Sequence, residues 1–243
     1  MAKPPLIWLT RPRNDSIALA AKLAEHGIDS IVAPVMHVVH QPLVSMPMKP
    51  HAILLTSRHA AHALASFLST WRSLPVYCVG KSTASAAAEL GCTHIIPSAS
   101  SIVTLLPRIV DNLGAGTELL YLAGEDTSVD VAHFLNSQGV YVTTCIVYHA
   151  IAERALDEAV HNALTKNSIT GVTFFSPRTA EITRKLLQSA NMVDEVATMD
   201  AFCLSANVSS TAGKLDWKNI YTCSAPTLRS MHELIVSHAD KTL

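Results

Sequence analysis

Two stretches of this chain align with each other without a gap, and their order along the chain limits the folds available to it. Val76–Val110 reads VYCVGKSTASAAAELGCTHIIPSASSIVTLLPRIV, and Ala201–Ile235 reads AFCLSANVSSTAGKLDWKNIYTCSAPTLRSMHELI. Cys78 meets Cys203, Val79 meets Leu204, Leu90 meets Leu215 and Ile95 meets Ile220. Just upstream, Ile53–Leu64 resembles Val172–Thr183 and pairs Ser57 with Ser176. A third pair, needing one gap, matches Trp8–Gly27 to Tyr121–Gly139. In one unit the Trp8-like piece comes last; in the other it comes first. The simplest reading is two similar domains, the second inserted into the first. It predicts a discontinuous domain of residues 1–35 plus 152–243 and an inserted domain of residues 52–146. Segments 36–51 and 147–153 are then crossing linkers that form a hinge beside a cleft.

Within each unit, short runs rich in Val, Ile and Leu alternate with amphipathic stretches of helical length. Strands are expected at Leu6–Leu9, Ala52–Thr56, Val76–Val79, Glu118–Leu122, Tyr141–Val147, Val172–Phe175 and Ala201–Leu204, among others. Helices are expected at Asp15–His26, His59–Leu68, Ser82–Leu90, Ser100–Asn112, Ser128–Gln138, Arg178–Gln188 and Thr227–Ser237. Continuous apolar strands alternating with helices predict an α/β fold with parallel sheets covered on both faces. Each domain is therefore expected to be a doubly wound, five-stranded, flavodoxin-like unit. The length of 243 residues accommodates two such units.

Composition narrows the partners. Apolar residues are 49% and charged residues 15%, which excludes a disordered chain. Eighteen Lys and Arg against 19 Asp and Glu leave a net charge of −1, so nucleic acid and anionic membrane are not expected partners. No run approaches the ~18 apolar residues of a membrane span. The N-terminal apolar stretch, ended by Arg11, is too short for a signal peptide. Five cysteines, an odd number without CxxC spacing, fit reduced thiols and a cytoplasmic location.

In open parallel sheets, ligands bind beyond the carboxyl ends of the strands, at helix N-termini. There this chain places Thr10, Arg11 and Arg13; Ser57 and Arg58; Lys81, Ser82 and Thr83; Gly124; Ser176, Pro177 and Arg178; and Ser205. The cations and free N–H groups point to a small polyanionic ligand. The same Ser and Thr residues also suit ordinary N-caps. No P-loop or GxGxxG is present; VGKST at Val79–Thr83 lacks the upstream glycine. The twelve histidines show no metal-ligand spacing: His59 and His62 have no neighbouring carboxylate, and His37 and His40 fall on an expected linker. They read as solvated or packing residues. No metal site is expected.

Several of these pieces resemble the uroporphyrinogen-III synthase family. They are Thr10-Arg11-Pro12, Pro34, Thr56-Ser57, Val79-Gly80-x-x-Thr83-Ala84 with Gly91, Tyr148, Phe174-Phe175-Ser176-Pro177 and Pro226-Thr227, spread from about Leu6 to Ile235. Where the family often shows a second Gly-x-x-Thr-Ala, this chain has Ser205-Ala206-Asn207-Val208-Ser209, and Val208 removes a hydroxyl. The resemblance implies a cofactor-independent lyase of haem and tetrapyrrole synthesis. Its substrate would be hydroxymethylbilane, a small polycarboxylate supplied by hydroxymethylbilane synthase. It loses water to an azafulvenium cation, then closes through a spiro intermediate with ring D inverted. Tyr148, on a crossing segment, is the best candidate proton donor to the departing hydroxyl. An ordinary tyrosine, with a pKa of about 10, stays protonated at neutral pH. Packing at the hinge is the other reading of Tyr148. The competing functional class is a non-enzymatic, two-lobed, small-anion-binding protein. Without a sustained exposed apolar pattern, a monomer is expected.

Overall fold

A computed structural model describes residues 4–43, 49–98, 101–125 and 129–239. The expected helix starts at Ser100 and Ser128 lie outside the described residues. From the amino end, the chain forms β1 (Leu6–Leu9), α1 (Arg13–Ala24), β2 (Asp29–Val32) and β3 (Met36–His40). Next come β4 (Ala52–Leu55), α2 (Arg58–Ala61), a 3-10 turn (His62–Phe67) and α3 (Leu68–Trp71). They are followed by β5 (Val76–Val79), α4 (Lys81–Glu89), β6 (Ile95–Ser98), α5 (Ile102–Leu113), β7 (Glu118–Gly124), α6 (Val131–Ser137) and β8 (Tyr141–Ala152). The remainder is α7 (Glu158–Thr165), β9 (Gly171–Phe174), α8 (Pro177–Ser189), β10 (Asp200–Cys203), α9 (Ala206–Ala212), β11 (Asn219–Thr222) and α10 (Leu228–Ala239).

These elements build two sheets, ordered β11-β10-β9-β1-β2 and β3-β8-β7-β4-β5-β6. The chain divides into two compact units, Met1–His37 with Ile151–Leu243, and Val38–Ala150. The repeats can be checked against the strand orders. Replacing β2-β1-β9-β10-β11 by their sequence counterparts gives β8-β7-β4-β5-β6, the order found in the second sheet. The two units are thus circular permutations of one doubly wound topology. The first has the 2-1-3-4-5 order of flavodoxin-like folds.

Burial explains why these strands are parallel. Every residue of β4, β9 and β10 is buried. Side chains alternate across a strand, so helices must cover both faces. In the second unit, Ile53, Leu55, Val76, Cys78, Leu120 and Leu122 pack with Ala60, Ala61, Leu64 and Ala87 from the α2–α4 side. Their neighbours Ala52, Leu54, Tyr77, Leu119 and Tyr121 pack on the other face with Leu105 and Ile109 of α5 and Leu135 of α6. In the first unit, Ile7, Leu9 and Phe202 pack with Leu19 and Leu23 of α1 and with Met231 and Ile235 of α10.

Two sequence expectations require correction. The second sheet has six strands rather than five, because Met36–His40, expected as linker, is the edge strand β3. It lies beside a β8 that runs beyond Val147 to Ala152. Gln41 N–H donates to Val147 O at 2.8 Å and Glu153 N–H to Val35 O at 2.9 Å, which makes this pairing antiparallel. Val38 and Val39 favour an extended edge strand, and the neighbouring prolines lie outside the paired stretch. The helix expected at His59–Leu68 is broken into α2, a 3-10 turn and α3. Its buried residues Ala60, Ala61 and Ala63 are small enough to let the segment tighten against the sheet.

Thr10 is fully buried, and its hydroxyl donates to Thr173 O at 2.6 Å, tying the end of β1 to β9. Thr10→Val keeps the shape and deletes the donor. It is expected to lower unfolding free energy by about 1–2 kcal/mol in urea titration, with Thr10→Ser near wild type. Equal stability of the valine variant would show that the bond contributes nothing.

Candidate functional site

A doubly wound sheet opens a crevice where its strand order reverses. In the second unit this point lies between β4 and β7. Thr56 and Ser57 follow β4, and Gly124 ends β7. Ser57 Oγ accepts from His59 N–H at 3.2 Å and caps α2. Thr56 Oγ1 and Tyr121 OH share a 3.2 Å hydrogen bond across the two strands. Burial pushes the Tyr121 phenol upward in pKa, the bond from Thr56 pulls it back, and the charge of Tyr148 adds to the rise.

Tyr148 comes to this point through a bulge. β7 and β8 pair in step until Ala123 meets Ile146; the next pair is Gly124 with Tyr148. Val147 is the extra residue, and its side chain is buried in the core. The shift lays the Tyr148 ring across Gly124. A Cβ on Gly124 would collide with Cζ, Cε2 and OH of Tyr148. Only glycine permits that approach. The Tyr148 ring also lies 5.7 Å from the His59 ring. Beside it, His149 Nδ1 and Glu125 Oε2 are 2.9 Å apart.

Lys81, Ser82 and Thr83 follow β5 in the first turn of α4. Lys81 and Ser82 are exposed, whereas the Thr83 side chain is buried. Gly80 begins this helix with φ 79° and without a side-chain cap. Its repeat partner Ser205 sits at φ −155°, so serine is tolerated there. Arg58 is half-buried at the start of α2.

In the first unit the reversal point lies between β1 and β9. Arg11 bridges it: its guanidinium carbon stands 4.6 Å from the Phe175 ring centre, and Nη2 bonds Asp15 Oδ2 at 2.9 Å. Arg13 opens α1, which has no side-chain cap. Ser176 is the N-cap of α8 in a capping box with Thr179, and Pro177 occupies the first turn. Arg178 follows, exposed, in the same turn. Ser205 precedes α9 and makes no cap hydrogen bond.

Each unit thus gathers its own expected residues at the carboxyl end of its sheet. Thr10 donates its hydroxyl to Thr173 O, whereas Ser57 and Ser176 accept backbone N–H groups of their own helices through Oγ. His40, His59, Tyr121 and Phe175 also stand at these reversal points. The i,i+3 spacing of His59 and His62 was visible, but nothing in the sequence marks the bulge at Val147 or brings His40 alongside. Gly124→Ala is expected to swing Tyr148 away from His59 and to cost about 1–3 kcal/mol of stability. The loss of the ring–ring NOE in labelled protein would record this; an unchanged NOE would contradict the close approach.

Comparison with known proteins bears on the family and the fold. The model of the family described as uroporphyrinogen-III synthase HemD matches residues 17–233. No curated protein sequence matches the chain. A crystal structure of uroporphyrinogen-III synthetase from Helicobacter pylori is similar at TM-score 0.65 and 16% identity, covering 97% of this chain and 100% of that one. A mutant uroporphyrinogen III synthase from the extremely thermophilic bacterium Thermus thermophilus is similar at TM-score 0.56 and 14% identity, covering 98% and 100%. At such identities the structural likeness establishes the fold. With the family match across most of its length, the chain belongs to the uroporphyrinogen-III synthase family, enzymes of porphyrin biosynthesis.

Proposed function

We propose that this chain closes hydroxymethylbilane to uroporphyrinogen III, inverting ring D and releasing water, as a cofactor-independent lyase. The observation that carries the reading is the Tyr148 phenol held over Gly124 at the reversal point of a sheet. It stands on a chain whose family match spans residues 17–233.

The reaction divides into two demands. The C–O bond of the hydroxymethyl group must break, with the pyrrole nitrogen supplying electrons to form the azafulvenium cation. The departing oxygen needs a proton, and Tyr148 is the donor in this reading. The cation must then be attacked by the substituted carbon of ring D rather than by its free carbon. This choice is one of orientation, which can supply about 7–11 kcal/mol. Arg58, Lys81 and Ser82, with the open start of α4, would hold substrate carboxylates in the second unit; Arg11, Arg13, Arg178 and Ser205 are the corresponding anion-suited positions of the first. Thr10, Ser57, Thr83, Ser176 and Pro177 would support those segments. Each exposed helix start contributes about 0.3–1 kcal/mol toward an anion. The substrate would come from hydroxymethylbilane synthase, and the protein would act as a monomer in the cytoplasm.

Freshly made hydroxymethylbilane, incubated with the protein and followed by isomer separation, tests the reading. Type III product formed faster than the spontaneous reaction is expected; type I alone at the uncatalysed rate would overturn it. Tyr148→Phe is expected to slow type III formation about 100-fold in a folded protein. Unchanged turnover would remove Tyr148 from the chemistry. Arg178→Ala is expected to raise KM about 5-fold, equivalent to ~1 kcal/mol. Arg11→Ala should do the same once its lost contacts to Asp15 and Phe175 are controlled for by a stability measurement. No change in KM for either would reduce them to structural roles.

A further inference from the structure

Three histidines meet beside Tyr148. The His40 ring centre lies 4.8 Å from that of His62 and 5.8 Å from that of His59. His59 in turn lies 5.7 Å from Tyr148, centre to centre. The fold brings them there by three routes. His59 and His62 are three residues apart on one helical path, so they share a face. The edge strand β3, bonded to β8 through Gln41 and Val147, carries His40 alongside. The bulge at Val147 then turns Tyr148 toward His59.

These rings are not core packing. His40 and His62 are exposed and His59 is half-buried. Imidazoles this close disfavour one another's protonation. Accordingly, partial burial and, after it, the charge of His62 hold His40 below the ordinary histidine range. Around them, β8 contributes Tyr148 and His149, and Glu125 after β7 faces His149. Arg58 precedes His59 in α2. Of the elements packed on α2, α4 carries Lys81 at its start and Glu89 at its far end. β7 carries Tyr121, and Glu118 at its far end.

A carboxylate placed against this corner would relieve the mutual repulsion and accept hydrogen bonds from imidazolium N–H groups. We infer that His40, His59 and His62 form a carboxylate subsite that seats one acidic side chain of the substrate beside the Tyr148 phenol. The inference deepens the proposed function, because it rests on a polycarboxylate substrate. The sign of the pH effect follows from linkage. Bound carboxylate favours the protonated imidazoles, so affinity is greatest when they are charged and falls as pH rises through their titration.

The test has two parts. In the first, KM for hydroxymethylbilane is measured from about pH 5 to about pH 8, a range that reaches below the ordinary histidine value because His40 is held under it. Wild type is expected to show KM rising with pH. His40→Gln with His62→Gln should raise KM at least 5-fold at the acid end and flatten the profile. His62→Lys, a permanent cation, should keep KM low at the alkaline end. In the second, imidazole Cε1 signals of the wild-type protein are titrated with and without uroporphyrin III. Upward displacement of the His40 titration by the porphyrin is expected. Type III product with an unchanged KM profile in the double glutamine variant and no displaced titration would overturn the subsite. Displaced titrations in a protein that makes only type I product would uphold the subsite and overturn the reaction assigned above.

Discussion

Strands buried on both faces leave a chain very few places for polar chemistry. In this protein every residue of β4, β9 and β10 is buried, so those strands offer almost no surface to water. The first polar positions available are the turns at the carboxyl ends of the strands, where helix N-termini also begin. The candidate site follows from that exclusion. Thr56, Ser57, Gly80, Gly124 and Arg11 stand where they do because the residues before them belong to the core.

The permutation of the repeats carried most of the fold into the sequence. Pairing Cys78 with Cys203, and Ser57 with Ser176, amounts to pairing β5 with β10 and β4 with β9. The strand orders of both sheets agree with those pairings. Periodicity was also reliable where strands are wholly apolar. It failed where local pattern and tertiary pairing diverge. Met36–His40 reads as linker because its neighbourhood is rich in proline, yet β8 offers it an edge. The helix at His59–Leu68 has ordinary helical residues but tightens to follow the sheet.

The site was legible in its composition and less so in its geometry. Arg, Lys, Ser and Gly after each strand could be named from the chain alone, and so could Tyr148. What the sequence does not encode locally is the Val147 bulge, which has neither glycine nor proline to mark it. Its effect is visible only through Gly124, whose missing Cβ makes room for the Tyr148 ring. Thr10 donates to a β9 carbonyl, and Ser176 Oγ accepts from Thr179 N–H of its own helix. Sequence alone does not tell such a cap from a ligand contact, because both occupy the same turn. The histidines make the opposite case. Their individual spacing suggests nothing, and only the meeting of β3 with α2 gives them a common surface.

The central claim is that a carboxylated tetrapyrrole is held at the reversal point of the second unit's sheet, around Tyr148. Hydrogen exchange with and without anaerobic uroporphyrinogen III tests this most directly, since it reports where the ligand lies without depending on turnover. The account predicts slowed exchange in peptides covering residues 56–62 and 80–84, together with the segment around residue 148. Ligand binding that left all three segments exchanging at their free rates would contradict it.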